Sequence, residues 1–478
     1  MELALENKIR ALAFSVVFFI SLFCAAQAPA AETPAGRQLA TWLAAYDSTN
    51  WDAYIKFLQT NFATPPGRGF QDPALRDLTG GYDLKKIELE SSTKVTALVQ
   101  ERAADGFARL TLEVEPAEPH RILKLDVNLI ERPAEFALPR MSKTQLVAAL
   151  RERLRNEASA DRFAGAVLVA DQGKPIFAQA YGLADREHNI LNTLETRFSI
   201  ASMNKMFTAV ATMQLVQAGK LALDDPLGKY LTDYPNKELA AKVTIGELLT
   251  NTGGTGDIWG PEFDKHRLEL RTPHDYIHLY GQRALKFEPG SRWEYSNYGF
   301  ILLGAVIEKV SGQSYSDYVH QHVFNPAGMT STSFGMEDKA IPSSIEYTKM
   351  GAPHWIPHSD TLANAGTPAG GGFSTVGDLL RFANALRENK LLDAQHTKLM
   401  TTGKVANPFG LDGYGFGVQT INGNQCFGHN GSSRGVNGDL EICLNSSYTI
   451  VALANIDPPA AEQVSQFIIG RLPATKPK

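Results

Sequence analysis

The chain has 478 residues, of which 44% are hydrophobic and 20% charged, values typical of a globular protein with a large core. That length leaves room for about two or three domains. The formal net charge of -5 gives no basic footprint, so the composition argues against a nucleic-acid partner.

Residues 1–30 have the pattern of a secretory signal. Two basic residues precede an apolar stretch at 11–26, and residues 28–30 (Ala-Pro-Ala) offer a small-x-small cleavage site. The apolar stretch is short for a transmembrane helix. The sequence therefore predicts a periplasmic or secreted protein that meets a membrane only if this segment is retained.

Residues 31–138 predict a small α+β domain. Its strand patterns alternate apolar and polar residues, which indicates a sheet with one face in water. No catalytic constellation is recognisable there, and one open hypothesis is that this domain sets the biological role by binding a partner. The patterns are helices at 37–44 and 52–62 and strands at 95–99, 110–114 and 123–129.

The second predicted domain covers residues 141–474. It begins with an amphipathic helix and a hairpin, continues through a helical and loop-rich middle, and closes with several strands and a last helix. A sheet built from both ends of the domain, with helices from its middle, predicts an α/β (α+β) sandwich of an antiparallel sheet with helices on both faces and an all-helical region. The closing strand patterns are 415–420, 424–429, 439–444 and 449–454.

Ser202 and Lys205 stand at the start of a long apolar helix pattern. A serine hydroxyl is a weak nucleophile until a base removes its proton. A lysine three residues later lies one helical turn away, and burial lowers its pKa so that it can act as that base. The alternative is a helix N-cap serine. A second Ser-x-x-Lys, Ser91 to Lys94, lies in a polar stretch with strand-like alternation, where the two side chains point to opposite faces.

Tyr295 and Asn297 precede a further apolar helix pattern. A phenol beside a lysine ammonium is expected to have a lowered pKa and to shuttle protons. The amide of Asn297 can bind a substrate carbonyl or hold the lysine. The structural alternative is a core tyrosine followed by an asparagine at a helix start. Tyr234 and Asn236 have the same spacing, but the intervening proline predicts a turn.

His429, Asn430 and Gly431 are predicted at the end of a strand. Gly431 would let a ligand approach the backbone closely. The amide of Ser432 could pair with that of Ser202 as an oxyanion hole, where loss of one donor costs about 10²–10³ in rate. A satisfied structural histidine is the alternative for His429.

Two further features belong to the second domain. Residues 367–378 are rich in glycine and predict either a wall of the site or a plain loop. Cys426 and Cys443 lie symmetrically about Arg434-Gly435, as cross-strand neighbours in a hairpin would. An oxidising compartment would allow them to pair, and two buried free thiols are the alternative.

Taken together, Ser202-x-x-Lys205, Tyr295-x-Asn297 and His429-x-Gly431, in this order, resemble the serine β-lactamase and penicillin-binding superfamily. The branch of class C β-lactamases, D-alanyl-D-alanine carboxypeptidases and related esterases is the most similar. The resemblance covers roughly residues 141–472, and residues 324–329 and 369–375 also look like that branch.

The resemblance implies that Ser202 is acylated, that Lys205 and Tyr295 activate it, and that Asn297 contacts a substrate amide. The third motif departs from the usual Lys-Thr-Gly, because His429 stands in place of lysine. This removes the fixed cation expected to bind a β-lactam or peptide carboxylate, unless Arg434 replaces it. An esterase or amide hydrolase acting on a small ester, amide or peptide is therefore favoured over a β-lactamase or carboxypeptidase.

The sequence also disfavours two other classes of hydrolase. Residues 431–435 match Gly-x-Ser-x-Gly, but no histidine follows residue 429, as that fold requires. A metal hydrolase is not expected because His-Glu-x-x-His is absent and His320 and His322 are poorly spaced for one helix face. No cofactor is predicted. A ligand-binding sensor that is acylated slowly, without real turnover, remains an alternative function.

Overall fold

The computed structural model describes residues 33–48, 50–66, 76, 79–130, 132–335, 343–350, 352, 354–358 and 366–473. The predicted signal at 1–30 lies outside them. The chain forms two compact units. The first is built from the described residues of 1–71, 81–101 and 107–130, and the second from those of 72–80, 102–106 and 131–478.

The first unit packs two helices on a four-stranded antiparallel sheet in the order β1-β2-β3-β4. Trp42 and Leu58 from the helices are buried with Val99 and Leu110 from the strands. Thr33 and Asn50 cap the helices by accepting backbone N–H groups. The elements are α1 (Pro34–Asp47), α2 (Trp51–Asn61), β1 (Tyr82–Glu90), β2 (Lys94–Glu101), β3 (Phe107–Val114) and β4 (Ile122–Ile130).

Strand β1 was not predicted from the sequence. Its pairing with β2 shifts register between Leu84 and Lys86 and again between Ile87 and Leu89. Each irregularity interrupts the alternation of inward and outward side chains, so the apolar residues of β1 do not repeat with period two.

The second unit is organised around an eight-stranded antiparallel sheet with strand order β13-β14-β15-β16-β17-β18-β5-β6. Its strands come from both ends of the unit, as predicted. They are β5 (Gly165–Asp171), β6 (Lys174–Tyr181), β13 (Val405–Asn407), β14 (Gly410–Asp412), β15 (Gly417–Ile421), β16 (Asn424–Ser433), β17 (Val436–Cys443) and β18 (Tyr448–Ala454).

Besides the large sheet, the described part of the second unit contains six short strands and twelve α-helices. The short strands are β7 (Leu183–Asp185), β8 (Ile190–Leu191), β9 (Phe198–Ala201), β10 (Tyr347–Thr348), β11 (Ile356–Pro357) and β12 (Gly372–Ser374). Four helices lie between residues 237 and 280, namely α5 (Lys237–Lys242), α6 (Ile245–Leu249), α7 (Pro261–His266) and α8 (Pro273–Tyr280). The remaining helices are α3 (Lys143–Ser159), α4 (Asn204–Gln217), α9 (Asn297–Ser311), α10 (Tyr315–Val319), α11 (Asn325–Ala327), α12 (Val376–Arg387), α13 (Ala394–Thr401) and α14 (Ala460–Arg471), with a π-helix at His320–Phe324.

Helices cover both faces of the large sheet. On one face, Leu440 of β17 is buried with Phe207 and Val210 of α4. On the other, Cys443 of β17 is buried with apolar residues of α3 and α14, among them Leu150. The successive strand residues alternate between these two cores, as the pleat of a strand requires. This arrangement confirms the predicted α/β (α+β) sandwich.

Cys426 and Cys443 face each other across β16 and β17 and form a disulfide. Both are buried in the core under α3 and α14. None of the helices in the described part of the chain is long and apolar enough to span a bilayer.

Candidate active site

Ser202 lies at a tight corner between β9 and α4. Ala201 has φ of 42°, a left-handed conformation that is uncommon for a residue with a side chain. The Met203 N–H then donates to the Ile200 carbonyl at 3.0 Å. Ser202 therefore precedes the helix and does not act as the capping residue weighed from the sequence. Its hydroxyl is left for other partners.

Lys205 is completely buried in the first turn of α4. Its Nζ lies 3.2 Å from Ser202 Oγ, 2.8 Å from Asn297 Oδ1 and 2.6 Å from the carbonyl oxygen of Ala369. The rings of Tyr295 and Phe300 lie beside the amine, with their centroids 4.7 Å and 5.5 Å away. The structure thus brings Ser202 and Lys205 together as the spacing predicted.

Burial lowers the pKa of Lys205 from 10.5 to about 7, and the Asp257 carboxylate opposes that shift. Desolvation dominates because a fully buried amine loses more on becoming charged than one carboxylate restores. Near neutral pH a substantial fraction of Lys205 is therefore uncharged, the form that can accept a proton.

Tyr295 donates its hydroxyl to Ser202 Oγ at 2.7 Å. The expected lowering of its pKa is wrong: burial raises the pKa of Tyr295, and the carboxylates of Asp257 and Asp412 raise it further. Lys205 lies against the face of the ring, where it does not offset the loss of solvent around the hydroxyl. Tyr295 is therefore a neutral phenol that donates to the serine oxygen.

Asn297 holds Lys205 at the start of α9. It is buried, and besides accepting from the lysine it donates its Nδ2 to Asp257 Oδ2 at 3.1 Å. The Asn297 backbone N–H donates to Asp257 Oδ1 at 2.9 Å. Asp257 was missed in the sequence, where the glycine-rich run before it was the available signal.

The glycine-rich segment predicted as a wall of the site contacts the lysine through its backbone. In addition to the Ala369 carbonyl, that of Pro368 accepts from Thr208 Oγ1 at 2.6 Å. The β12 strand that follows pairs antiparallel with β9 just before Ser202. A Cβ at Gly370 would lie 3.1 Å from the Ala201 carbonyl oxygen, so a larger residue would press on the corner.

His429 lies within β16 rather than at its end, because the strand continues to Ser433. Its Nδ1 lies 2.5 Å from the Asn430 carbonyl oxygen. Burial, and then the charge of Lys205, lowers the pKa of His429 to about 4. At neutral pH this position of the third motif therefore carries no positive charge.

Gly431 packs against the corner that carries Ser202. A Cβ there would lie 2.1 Å from the Ile200 carbonyl oxygen. This close approach of the Ile200 carbonyl accounts for a glycine at the position, and the approach of a ligand to its backbone stays a prediction. Asn437 holds the strand from the neighbouring β17, donating Nδ2 to the Gly431 carbonyl at 3.2 Å and accepting from Ala461 N.

The two predicted oxyanion donors are the backbone amides of Ser202 and Ser432. The Ser202 amide N–H donates to no acceptor among the described residues, and its part in an oxyanion hole stays a prediction. Ser432 directs its hydroxyl to Glu462 Oε1 at 3.0 Å, and the role of its amide stays a prediction. Arg434 is exposed at the turn between β16 and β17, and no hydrogen bond or ion pair among the described residues joins it to Ser202.

Replacing Tyr295 with phenylalanine should reduce kcat/KM for a small ester by about 10²–10³-fold, within the range for loss of a positioned proton donor. The ring and its packing on Lys205 are kept, so only the hydrogen bond to Ser202 is lost. Steady-state kinetics with matched thermal melts would measure this.

The matched control is Tyr234→Phe. Tyr234 is a buried tyrosine that also precedes an asparagine by two residues, but its hydroxyl meets that of Tyr298 at 3.0 Å. We expect its activity to stay within about twofold, since no donor to Ser202 is lost. Equal losses in the two variants would contradict the role of Tyr295.

The profile of the Beta-lactamase family matches residues 144–472, which carry all of these groups. The chain belongs to the beta-lactamase family. Family membership confirms the resemblance predicted from the three motifs, and proteins of this family include hydrolases.

Three proteins illustrate the relationship of this beta-lactamase family chain. It is 30% identical to PbpX of Bacillus subtilis (strain 168) over 254 residues, which are 53% of this chain and 62% of that protein. It therefore spans about three fifths of that relative's length. Among solved structures, a penicillin binding protein from Bacillus halodurans is 30% identical, with a TM-score of 0.57 covering 68% of this chain and 98% of the other. A D-stereospecific amidohydrolase from Streptomyces sp. is 28% identical, with a TM-score of 0.56 covering 67% and 97%.

Proposed function

We propose that this chain is an exported serine hydrolase that cleaves small esters or amides through an acyl-enzyme on Ser202. The observation that carries the proposal is the set of partners around Lys205. A neutral amine has two N–H groups and one lone pair. The Ala369 carbonyl and Asn297 Oδ1 accept the two N–H groups, so the lone pair is directed toward Ser202 Oγ.

In the proposed acylation, Ser202 Oγ forms a bond to the substrate carbonyl carbon while its proton passes to Lys205 Nζ. The carbonyl oxygen becomes an oxyanion next to the Ser202 amide. The tetrahedral intermediate then expels the leaving alkoxide or amine, which takes a proton from Tyr295 or Lys205. Water attacks the resulting ester in the second half-reaction, and the same groups return the proton to Ser202.

The third motif favours substrates without a carboxylate beside the scissile bond. His429 is neutral at physiological pH, since its pKa is about 4. A charge-assisted hydrogen bond to a carboxylate is therefore missing at the position where the family places lysine. The similarity to a D-stereospecific amidohydrolase supports amides as one substrate class. The signal-like pattern at 1–30 supports a periplasmic or secreted location.

The test is turnover on three chromogenic substrates: p-nitrophenyl butyrate, a p-nitroanilide of a small acyl group and a chromogenic cephalosporin. We expect many turnovers per enzyme on the ester and kcat/KM on the cephalosporin at least about 100-fold lower, as loss of a charge-assisted contact of about 3 kcal/mol implies. Peptide mapping after a fluorophosphonate probe should place the label on Ser202.

Other outcomes would redirect the proposal. A burst of one equivalent with no further turnover would indicate a slowly acylating sensor. A cephalosporin or D-alanyl-D-alanine peptide preferred over the ester would indicate the β-lactamase or carboxypeptidase branch, with Arg434 as the first candidate for the missing cation.

A further inference from the structure

Asp257 binds Asn297 at two points. Its Oδ1 accepts the Asn297 backbone N–H at 2.9 Å, and its Oδ2 accepts Asn297 Nδ2 at 3.1 Å. Oδ1 also accepts the N–H of Ile258 at 2.8 Å. One carboxylate therefore fixes both the first backbone group of α9 and the side chain that reaches Lys205.

The two ends of the Asn297 amide differ in what they can bind. An ionised carboxylate only accepts hydrogen bonds, so it selects the NH₂ end of the amide. The oxygen end then faces the other way, where it accepts from Lys205 Nζ at 2.8 Å. If the Asn297 amide were reversed, its NH₂ group would face the N–H groups of Lys205. Its oxygen would then face the carboxylate oxygen of Asp257.

The loop that carries Asp257 is itself held in place. Ser296 Oγ donates to the Gly256 carbonyl at 2.6 Å, and Arg283 Nη1 donates to the carbonyl of Asp257 at 2.7 Å. Gly256 has φ of 69°, a conformation that favours glycine. The carboxylate is thus directed at Asn297 by a braced turn.

We propose that Asp257 is a positioning residue for the reaction, which holds the Asn297 amide with its oxygen toward Lys205 and so aims the amine at Ser202. This inference rests on the proposed function of Ser202 and Lys205. No hydrogen bond of the described residues joins Asp257 to Ser202, so its effect on the aim of the amine passes through Asn297.

The charge of Asp257 gives a signature that a purely structural role would lack. The titratable groups that act on or face Lys205 are Asp257, Tyr295 and His429. Tyr295 and His429 are neutral near pH 7, so Asp257 is the one of these three that raises the pKa of Lys205. Removing its charge should lower that pKa. Because the neutral amine is the active form, activity would then appear at lower pH.

The first variant is Asp257→Asn, which keeps the shape and removes the charge. We expect kcat for p-nitrophenyl butyrate to fall about 10–100-fold with KM within about threefold, because the base is misaimed while the substrate contacts remain. The ascending limb of kcat/KM against pH should move down by about one unit, the low end of the effect of a nearby charge.

A second variant exchanges the two groups: Asp257→Asn combined with Asn297→Asp. An amide at 257 can still donate to a carboxylate at 297, and that carboxylate now contacts Lys205 directly. We expect the ascending limb to move above the wild-type position. Opposite shifts in the single and double variants cannot come from general loss of stability.

The matched control is Asp275→Asn. Asp275 also accepts three hydrogen bonds from its own segment, from the N–H groups of Arg271 and Thr272 and from Thr272 Oγ1. Its loss should lower thermal stability and leave the pH limb in place. The inference would be overturned if the ascending limb of kcat/KM against pH stayed at the wild-type position in both Asp257 variants. An unchanged kcat in folded Asp257→Asn would also overturn it. In that case, labelling of Ser202 and turnover by the wild-type protein would still support the proposed function. If the wild-type protein showed neither, the proposed function itself would be wrong.

Discussion

Replacing Ser202 with alanine should abolish acyl-enzyme formation and reduce kcat by about 10⁶-fold, the size of effect seen when a serine hydrolase loses its nucleophile. The variant keeps the corner between β9 and α4, because the Ser202 side chain caps no helix. The lost atom is the one to which Tyr295 donates at 2.7 Å and which lies 3.2 Å from Lys205 Nζ. Ester turnover and intact-protein mass after fluorophosphonate treatment would measure the loss.

The control for this variant is Ser433→Ala. Ser433 occupies the serine position of the Gly-x-Ser-x-Gly match at residues 431–435, the end of β16. The variant should retain labelling and turnover within about twofold, as expected for a substitution away from the reacting groups. If Ser202→Ala kept more than a few per cent of the activity, or if the label moved to Ser433, the assignment of the nucleophile would be wrong.

The contact between Ser202 and Lys205 could be predicted because it depends on local geometry. Residues three apart at a helix start share a face, so Ser202 and Lys205 had to lie close together once the helix was recognised. Tyr295 and Asn297 came from a separate segment, and the family resemblance, rather than spacing, connected them with the serine. The structure places all four within one hydrogen-bonded cluster.

Other parts of the site depend on contacts over long distances in the sequence. The Ala369 carbonyl binds a lysine 164 residues away, and backbone oxygens carry no signal in a sequence. The sequence does not distinguish Asp257 from other acidic loop residues. Its role becomes visible only through its contacts with Asn297 at the start of α9. The pKa of Tyr295 was predicted with the wrong sign because a proton affinity depends on burial around the hydroxyl, which spacing does not reveal.

The same distinction applies to the fold. Strands β15 to β18 each contain an alternating or apolar segment, and their positions could be predicted within a few residues. Strand β1 could not, since its register shifts break the period on which such predictions rest. The extension of β16 past His429 was also missed, because Asn430, Gly431 and Ser432 have low strand propensity and are held by pairing with β17.

Lys205→Met should reduce kcat/KM by about 10³–10⁴-fold at neutral pH, since the variant retains an apolar side chain of similar length but has no proton acceptor. In the wild-type protein, kcat/KM should rise with pH through a midpoint near 7, where the buried amine loses its proton. The residual activity of the variant should lack this limb. A pH series with p-nitrophenyl butyrate would show both effects.

Stability provides a separate check on the same amine. Between pH 7 and 10.5 the unfolded chain keeps a proton on Lys205 that the folded chain has released. The unfolded state then binds more protons, so the free energy of unfolding contributed by this group rises with pH across that window. The methionine variant should lose this rise, whereas Lys94→Met, which removes a surface lysine paired with Glu113, should keep both the rise and full activity. If kcat/KM of the wild-type protein rose with pH through a midpoint near 10 instead of 7, the amine would be charged at neutral pH. Lys205 could not then be the base.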